Sequence, residues 1–186
     1  MWSFSRLTHL LIVVGLAGLT AGCFTPLYGT STAVVGGSDV ANKLSAVEVA
    51  PIDPANAPNG SRIARVGVGV RNELMFDLTG GRAAAPPTHR LDIRLTSTTL
   101  QVIVDVNTAR PDVENYGINA TYTLTDLNTG KKVVTATTFS RVSYNIPGQE
   151  QRFAGDRGLR DAEDRAAKVI AENIRSRLAS YFVAGT

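Results

Sequence analysis

From Ile118 to Thr125 apolar and polar residues alternate without a break: Ile118, Ala120, Tyr122 and Leu124 against Asn119, Thr121, Thr123 and Thr125. A period of two puts one set on each face of a strand, so this segment predicts a β-strand with one buried and one wet face. Similar segments flank it. Leu91, Ile93 and Leu95 alternate with Arg90, Asp92 and Arg94, and after Thr96–Thr99 the series resumes at Leu100, Val102, Val104 and Val106. On the other side Val134, Ala136, Val142 and Tyr144 keep phase through a third segment, Val133 to Tyr144. "DLNTGKK", Asp126 to Lys132, contains Asn-Thr-Gly and predicts the tight turn of a hairpin. "NTARPDVEN", Asn107 to Asn115, predicts a looser connection, because Pro111 and two acids oppose a strand there. A shorter strand is expected at Leu44–Ile52, with Val47 and Val49 on one face, before the turn-rich break Asp53–Gly60.

Two segments carry a helical period instead. Ile63, Val66, Val70, Leu74 and Leu78 form one stripe, with Ser61 placed to cap its start and Gly80-Gly81 its end. Within it "VGVGV", Val66–Val70, alternates like a strand, and its two glycines cost about 1 kcal/mol each in a helix. The stripe continues through "RNELMFDL", so the segment is read as helix. "GVGVRN" lacks the third glycine of a dinucleotide loop and is not read as one. After the break at Ala83–Pro87, and beyond the three strands, Ala162, Ala166, Ile170, Ile174, Leu178 and Phe182 define a long C-terminal helix with a narrow apolar stripe. Asp161, Glu163 and Asp164 precede Arg175 and Arg177, an order that suits the helix macrodipole. These elements imply an α+β fold class: a four-stranded sheet with two helices packed on one face, in the order β-α-β-β-β-α. A strand–helix–strand start would set the first two strands side by side. The second sheet face, rich in Thr and Ser, is left to solvent or to a partner.

The N-terminus changes the picture of where this domain resides. Arg6 precedes an apolar run, Leu10–Leu19, too short for a transmembrane helix of about 20 residues. Thr20, Ala21 and Gly22 follow, and then Cys23, the only cysteine. This reads as a signal peptide over residues 1–22, a lipidated flexible tether over 23–42, and one domain over 43–186. Small residues directly before a cysteine resemble a bacterial lipobox, although Thr20 stands where that motif prefers Leu. The resemblance implies covalent lipid at Cys23, and anchoring by two or more acyl chains is stable where one is not. Phe24, rather than Asp, follows the cysteine, which by the sorting rule of enteric bacteria favours the outer membrane.

Charge and catalytic chemistry narrow the function. Without Arg6 the chain carries 18 Lys+Arg against 16 Asp+Glu, too even for a general nucleic-acid binder. Beyond residue 22 one histidine remains, His89, which is expected at a surface or strand edge. With the one cysteine assigned to lipid, this leaves no Cys–His pair, no CxxC redox pair and no His-rich metal site. There is no GxSxG turn either. "NAT", Asn119–Thr121, fits a glycosylation sequon but falls inside the strand alternation. The reading is a non-enzymatic protein without cofactor apart from the lipid at Cys23.

"CFTPLYG", "RNELMFDL", "YTLTDLNTGKKV", "SYNI" and "RDAEDRAAKVIAENIRSRLASYF" occur in this order from Cys23 to Phe182. Together they resemble the LPS-assembly lipoprotein family LptE, in its alphaproteobacterial branch; Phe24 departs from the Gly-Phe usual there. The resemblance implies an outer-membrane lipoprotein that plugs a large β-barrel partner, LptD, helps it assemble, and binds lipopolysaccharide on its way to the surface. Phosphates on that ligand require Lys or Arg. Candidates are Arg110 in the looser connection and Lys131 and Lys132 at the hairpin turn, with Arg90 and Arg94 behind them. Consecutive turns normally lie at opposite ends of a sheet, so the two sets need not act together. The alternative is a structural scaffold lipoprotein without lipopolysaccharide contact.

Overall fold

The computed structural model describes residues 37–52, 60–105, 110–146 and 152–184. Contacts divide the chain into two units, Met1–Asp39 and Val40–Thr186, and the sheet and its core belong to the second. The signal peptide, Cys23 and the tether as far as residue 36 lie outside the described residues, as does most of the Asp53–Gly60 break. The elements are α1 (Gly37–Ser45, which straddles the division), β1 (Val47–Val49), α2 (Arg62–Thr79), β2 (His89–Asp105), β3 (Arg110–Asp126), β4 (Lys132–Asn145) and α3 (Arg152–Ala184).

The sheet runs in chain order, β1-β2-β3-β4. β1 and β2 pair in parallel, Val47 with His89 and Val49 with Leu91, as the strand–helix–strand start requires. β2, β3 and β4 form two antiparallel hairpins, with Ile93 opposite Tyr122 and Tyr122 opposite Ala136. The α+β fold with helices packed on one sheet face is therefore the observed one. Leu91, Ile93, Leu95, Ile118, Ala120, Tyr122, Leu124 and Val134 point inward and are buried. They meet Val66, Val70, Leu74 and Leu78 of α2 and Ala162, Ala166, Ile170, Ile174 and Leu178 of α3. Each fully buried Val, Leu or Ile among them contributes on the order of 1.5–3 kcal/mol.

α2 begins and ends where its caps stand. Ser61 Oγ accepts from Ala64 N–H, and Gly80 takes the left-handed conformation (φ 62°) that lets its N–H reach Phe76 C=O. One of the two glycines inside α2 has a packing reason. A Cβ on Gly67 would lie 3.2 Å from the Ile52 carbonyl oxygen, so its absence lets α2 sit against the Ala50–Ile52 backbone. On Gly69 it would meet only the Ala167 methyl, at 3.9 Å.

Four expectations are corrected. A third helix, α1, occupies Gly37–Ser45, where the pattern left the end of the tether and the start of a strand. Val40 and Leu44, four residues apart, place one apolar edge in the core, and β1 shrinks to Val47–Val49. β3 opens at Arg110, inside the expected loose connection, and Pro111 lies within it opposite Val104. The ladder is irregular at that point, with a register shift between Ile103 and Val104, and such a place tolerates a residue without an N–H. α3 starts at Arg152, so Asp161, Glu163 and Asp164 lie well past its first turn and out of reach of the dipole. Its stripe is also wider than expected: Ala167, Ala171 and Ala179 are buried beside Ala166, Ile170 and Leu178, because α3 packs on α2 as well as on the sheet.

Glu163 faces that helix–helix seam and is 3% exposed. Arg65 donates to its Oε2 at 2.6 Å, and Arg62 Nε lies 3.3 Å from Oε1. The hydrogen bond to Glu163 raises the Arg65 guanidinium above its ordinary range. At the far end of the sheet the Tyr144 hydroxyl donates to Glu114 at 2.5 Å, and burial with that bond pushes the phenol well up.

Candidate functional site

The opposite face of the sheet has no helix over it among the described residues. Period-two alternation sends every second side chain there, and cross-strand pairing sorts these into rungs. Asp92, Thr123 and Thr135 share one rung; Arg94, Thr121 and Thr137 the next; Thr96, Asn119 and Phe139 the third; Thr98, Gly117 and Arg141 the fourth; Leu100, Asn115 and Ser143 the fifth. Hydroxyls bond across the strands, Thr121 to Thr137 at 3.3 Å and Ser143 to Asn115 at 2.6 Å. This hydroxyl-rich surface is interrupted by Phe139, 61% exposed, with the Arg141 guanidinium 5.4 Å from its ring centre. A Cβ on Gly117 would stand 2.8 Å from Thr98 Oγ1, so the missing side chain makes room for Thr98 and Arg141 to close over the strand.

The hairpin turn fixes the lower end of this face. Gly130 is left-handed (φ 69°), its N–H bonds Asp126 C=O at 2.8 Å, and Asp126 N–H bonds Lys131 C=O at 2.9 Å. The Asp126 carboxylate accepts the Asn128 N–H at 2.8 Å, and that bond holds it below the usual carboxylate range. A register shift between Leu124 and Thr125 then sets Lys132, rather than Val133, opposite Thr125. Thr125 is in turn opposite Arg90. Lys132 and Arg90 therefore occupy one rung of the uncovered face, about 10 Å apart across two strand spacings. Lys131 precedes it, and Arg94 lies about 13 Å further along β2. Asp92 lies 3.5 Å from Arg90, and Asp126 is bonded through its backbone to Lys131 in the turn, so two acids stand beside these cations. An exposed cluster of four cations can hold an anion by charge-assisted hydrogen bonds, each weak in water and additive in a network.

The sequence candidates thus separate. Lys131 and Lys132 stand at this end with Arg90 and Arg94. Arg110 opens β3 at the other end, paired with Asp105, about 50 Å away along a strand of this length. Cys23 lies outside the described residues. His89 begins β2 beside β1; its Nδ1 is 2.9 Å from the Thr88 hydroxyl, its ring meets Phe182 edge-on at 5.2 Å, and burial lowers its pKa. Sequence reasoning passes over Phe139 and Arg141. Their signal is one of phase: Phe139 falls between the inward positions Ala136 and Val142 and one step out of register with both. Among the described residues no group of His, Cys, Asp and Glu could hold a metal, and no helix is long and apolar enough to cross a membrane.

The fold is shared with known lipoproteins. A crystal structure of a Caulobacter crescentus CB15 protein described as a lipoprotein superposes with a TM-score of 0.60 at 20% identity, over 78% of this chain and 97% of the other. Rare lipoprotein B from Shewanella oneidensis superposes with a TM-score of 0.50 at 13% identity, over 75% and 96%. At these identities the likeness is one of fold. No curated protein matches the sequence. The family model for LptE, lipopolysaccharide-assembly, matches residues 44–178, a span from the end of α1 through all four strands to the last inward leucine of α3. On that match the chain belongs to the LptE lipopolysaccharide-assembly family.

Proposed function

We propose that the protein is an outer-membrane lipoprotein that plugs the LptD β-barrel, helps it assemble, and binds lipopolysaccharide in transit to the cell surface. In this reading residues 1–22 are removed, lipid is attached at Cys23, and the domain faces the periplasm and enters the barrel lumen. The observation that carries it is the uncovered sheet face. A row of Thr, Asn and Ser with scattered arginines, left bare beside a fully formed core, suits the polar interior of a large barrel. Family membership supports the pathway. The cation cluster at Arg90, Arg94, Lys131 and Lys132 supplies the phosphate-recognising end, and Arg110 serves as a separate contact at the opposite tip. The chain acts by binding and carries no reaction.

The test is extraction of the lipidated protein in mild detergent. It is expected to co-purify with a large outer-membrane barrel; if it emerges alone, the plug reading fails. Reversing Lys131 and Lys132 to Glu is expected to weaken lipopolysaccharide binding about tenfold, equivalent to about 1.4 kcal/mol, with an unchanged unfolding midpoint. Unaltered binding by that double variant would remove Lys131 and Lys132 as the contact, whereas no lipopolysaccharide binding by the wild type, with co-purification retained, would favour a scaffold without lipopolysaccharide contact.

A further inference from the structure

β1 covers only the first residues of β2. Its pairing ends at Leu91, and beyond that point the β2 edge has no partner strand among the described residues. Ala50 N–H donates to Leu91 C=O at 3.0 Å, so Leu91 directs its backbone groups to this edge. In an antiparallel ladder alternate residues do the same. Ile93, Leu95, Ser97, Thr99 and Gln101 therefore present N–H and C=O outward, while the residues between them bond to β3.

Natural sheets guard such an edge with lysine, proline or a bulge. "LTSTTLQV", Leu95 to Val102, carries neither charge nor proline. Leu100 and Val102 are 59% and 53% exposed. The one guarding device is the register shift between Gln101 and Ile103, which ends the usable edge there. Water satisfies a row of outward backbone donors and acceptors one by one, and the partner that matches the whole row is another extended strand. From Leu95 on, beyond Arg94, an edge without charge matches a strand without charge on its exposed side, as on the lipid face of a membrane barrel. A second copy of this chain is a poor occupant. Pairing from Ile93 to Gln101 spans only about 30 Å of one edge, and a specific stable dimer needs ~1,000 Å² of complementary surface, which a barrel docked through the polar face as well would supply.

We propose that the free edge of β2, Ile93–Gln101, is a strand-addition site for the unpaired edge strand of a β-barrel that has not yet closed. It rests on the barrel reading above. A barrel that closes pairs its own first and last strands and loses its edges, so occupancy ends with assembly while docking through the polar face persists. No covalent step is involved.

The alternation supplies the test. Thr99 N–H points outward, so Thr99→Pro removes a donor from the edge without breaking the β2–β3 ladder. Urea-unfolded barrel partner is diluted into detergent micelles with the full-length lipidated protein, and barrel closure is followed by its heat-resistant gel mobility. Wild type is expected to speed closure; Thr99→Pro and Thr99→Lys are expected to lose most of that gain, at least about fivefold in rate, yet still co-purify with barrel that has closed. Should Thr99→Pro fail to fold by circular dichroism, Thr99→Lys carries the comparison. Variants as effective as wild type overturn the edge proposal and leave the plug reading standing. Wild type that neither speeds closure nor co-purifies removes both. A wild-type dimer in sedimentation that Thr99→Pro dissolves assigns the edge to a second copy and overturns the proposal.

Discussion

Two glycines two positions apart in α2 show how much a single contact decides. Both lower helix propensity, yet only Gly67 lies against backbone, with the Ile52 carbonyl oxygen 3.2 Å from where its Cβ would be. Gly69→Ala is expected to raise stability by about 0.5–1 kcal/mol, because it removes unfolded-state freedom at a site with ordinary room. Gly67→Ala is expected to bring no gain, since Ile52 must shift to admit the methyl. Denaturant midpoints of the two variants check this, and equal gains would refute the packing account. The sequence marks both glycines as anomalous in a helix but not which one is needed. That distinction depends on Ile52, a residue outside the helix that the fold brings against it.

At the scale of elements, what can be read in advance depends on whether one face is wet. β3 and the outer half of α2 announce themselves because water on one side imposes a period. Thr96–Thr99 give no such signal, being exposed on both faces, and the continuity of β2 through them is legible only because the apolar series resumes at Leu100. α1 is hidden for a related reason: among its described side chains only Val40 and Leu44 are buried, within a Gly/Ser/Ala-rich stretch. The placing of Arg90 and Lys132 on one rung depends on a register shift that sequence periodicity cannot carry. The α2–α3 seam is the other case. Glu163 reads as one of three acids placed for the helix dipole and is instead the buried partner of Arg65 and Arg62. Arg65→Met leaves that carboxylate with only the longer Arg62 contact. A loss of about 1–2 kcal/mol is expected, reduced from the cost of breaking a fully buried pair because both arginines are half exposed. Glu163→Gln in the Arg65→Met background is expected to recover part of it, and a double variant no more stable than Arg65→Met would contradict this account.

For the molecule as a whole, the division of labour is between a core face that any α+β domain needs and a bare face that this one keeps. The core is legible almost residue by residue in β3 and α2, and in α3 apart from its alanines against α2. The bare face is legible as polar but not as a surface, since its rungs join strands that lie far apart in the chain. The sheet's running in chain order has a kinetic consequence. β2, β3 and β4 close through neighbouring hairpins, whereas β1 reaches β2 only after α2 has crossed between them. Loop closure for that parallel pairing is the costlier step, so the meander is expected to form early in refolding and β1 to dock late. The same asymmetry governs opening: the Ala50 amide, bonded across the short parallel pair, is expected to exchange its hydrogen through local fluctuations, while amides in the middle of β3 exchange only on global unfolding. Hydrogen exchange at those two places checks this, and equal protection would contradict it. The molecule therefore has a fast, self-sufficient half and a slow clasp, and the clasp is the half nearest the N-terminus.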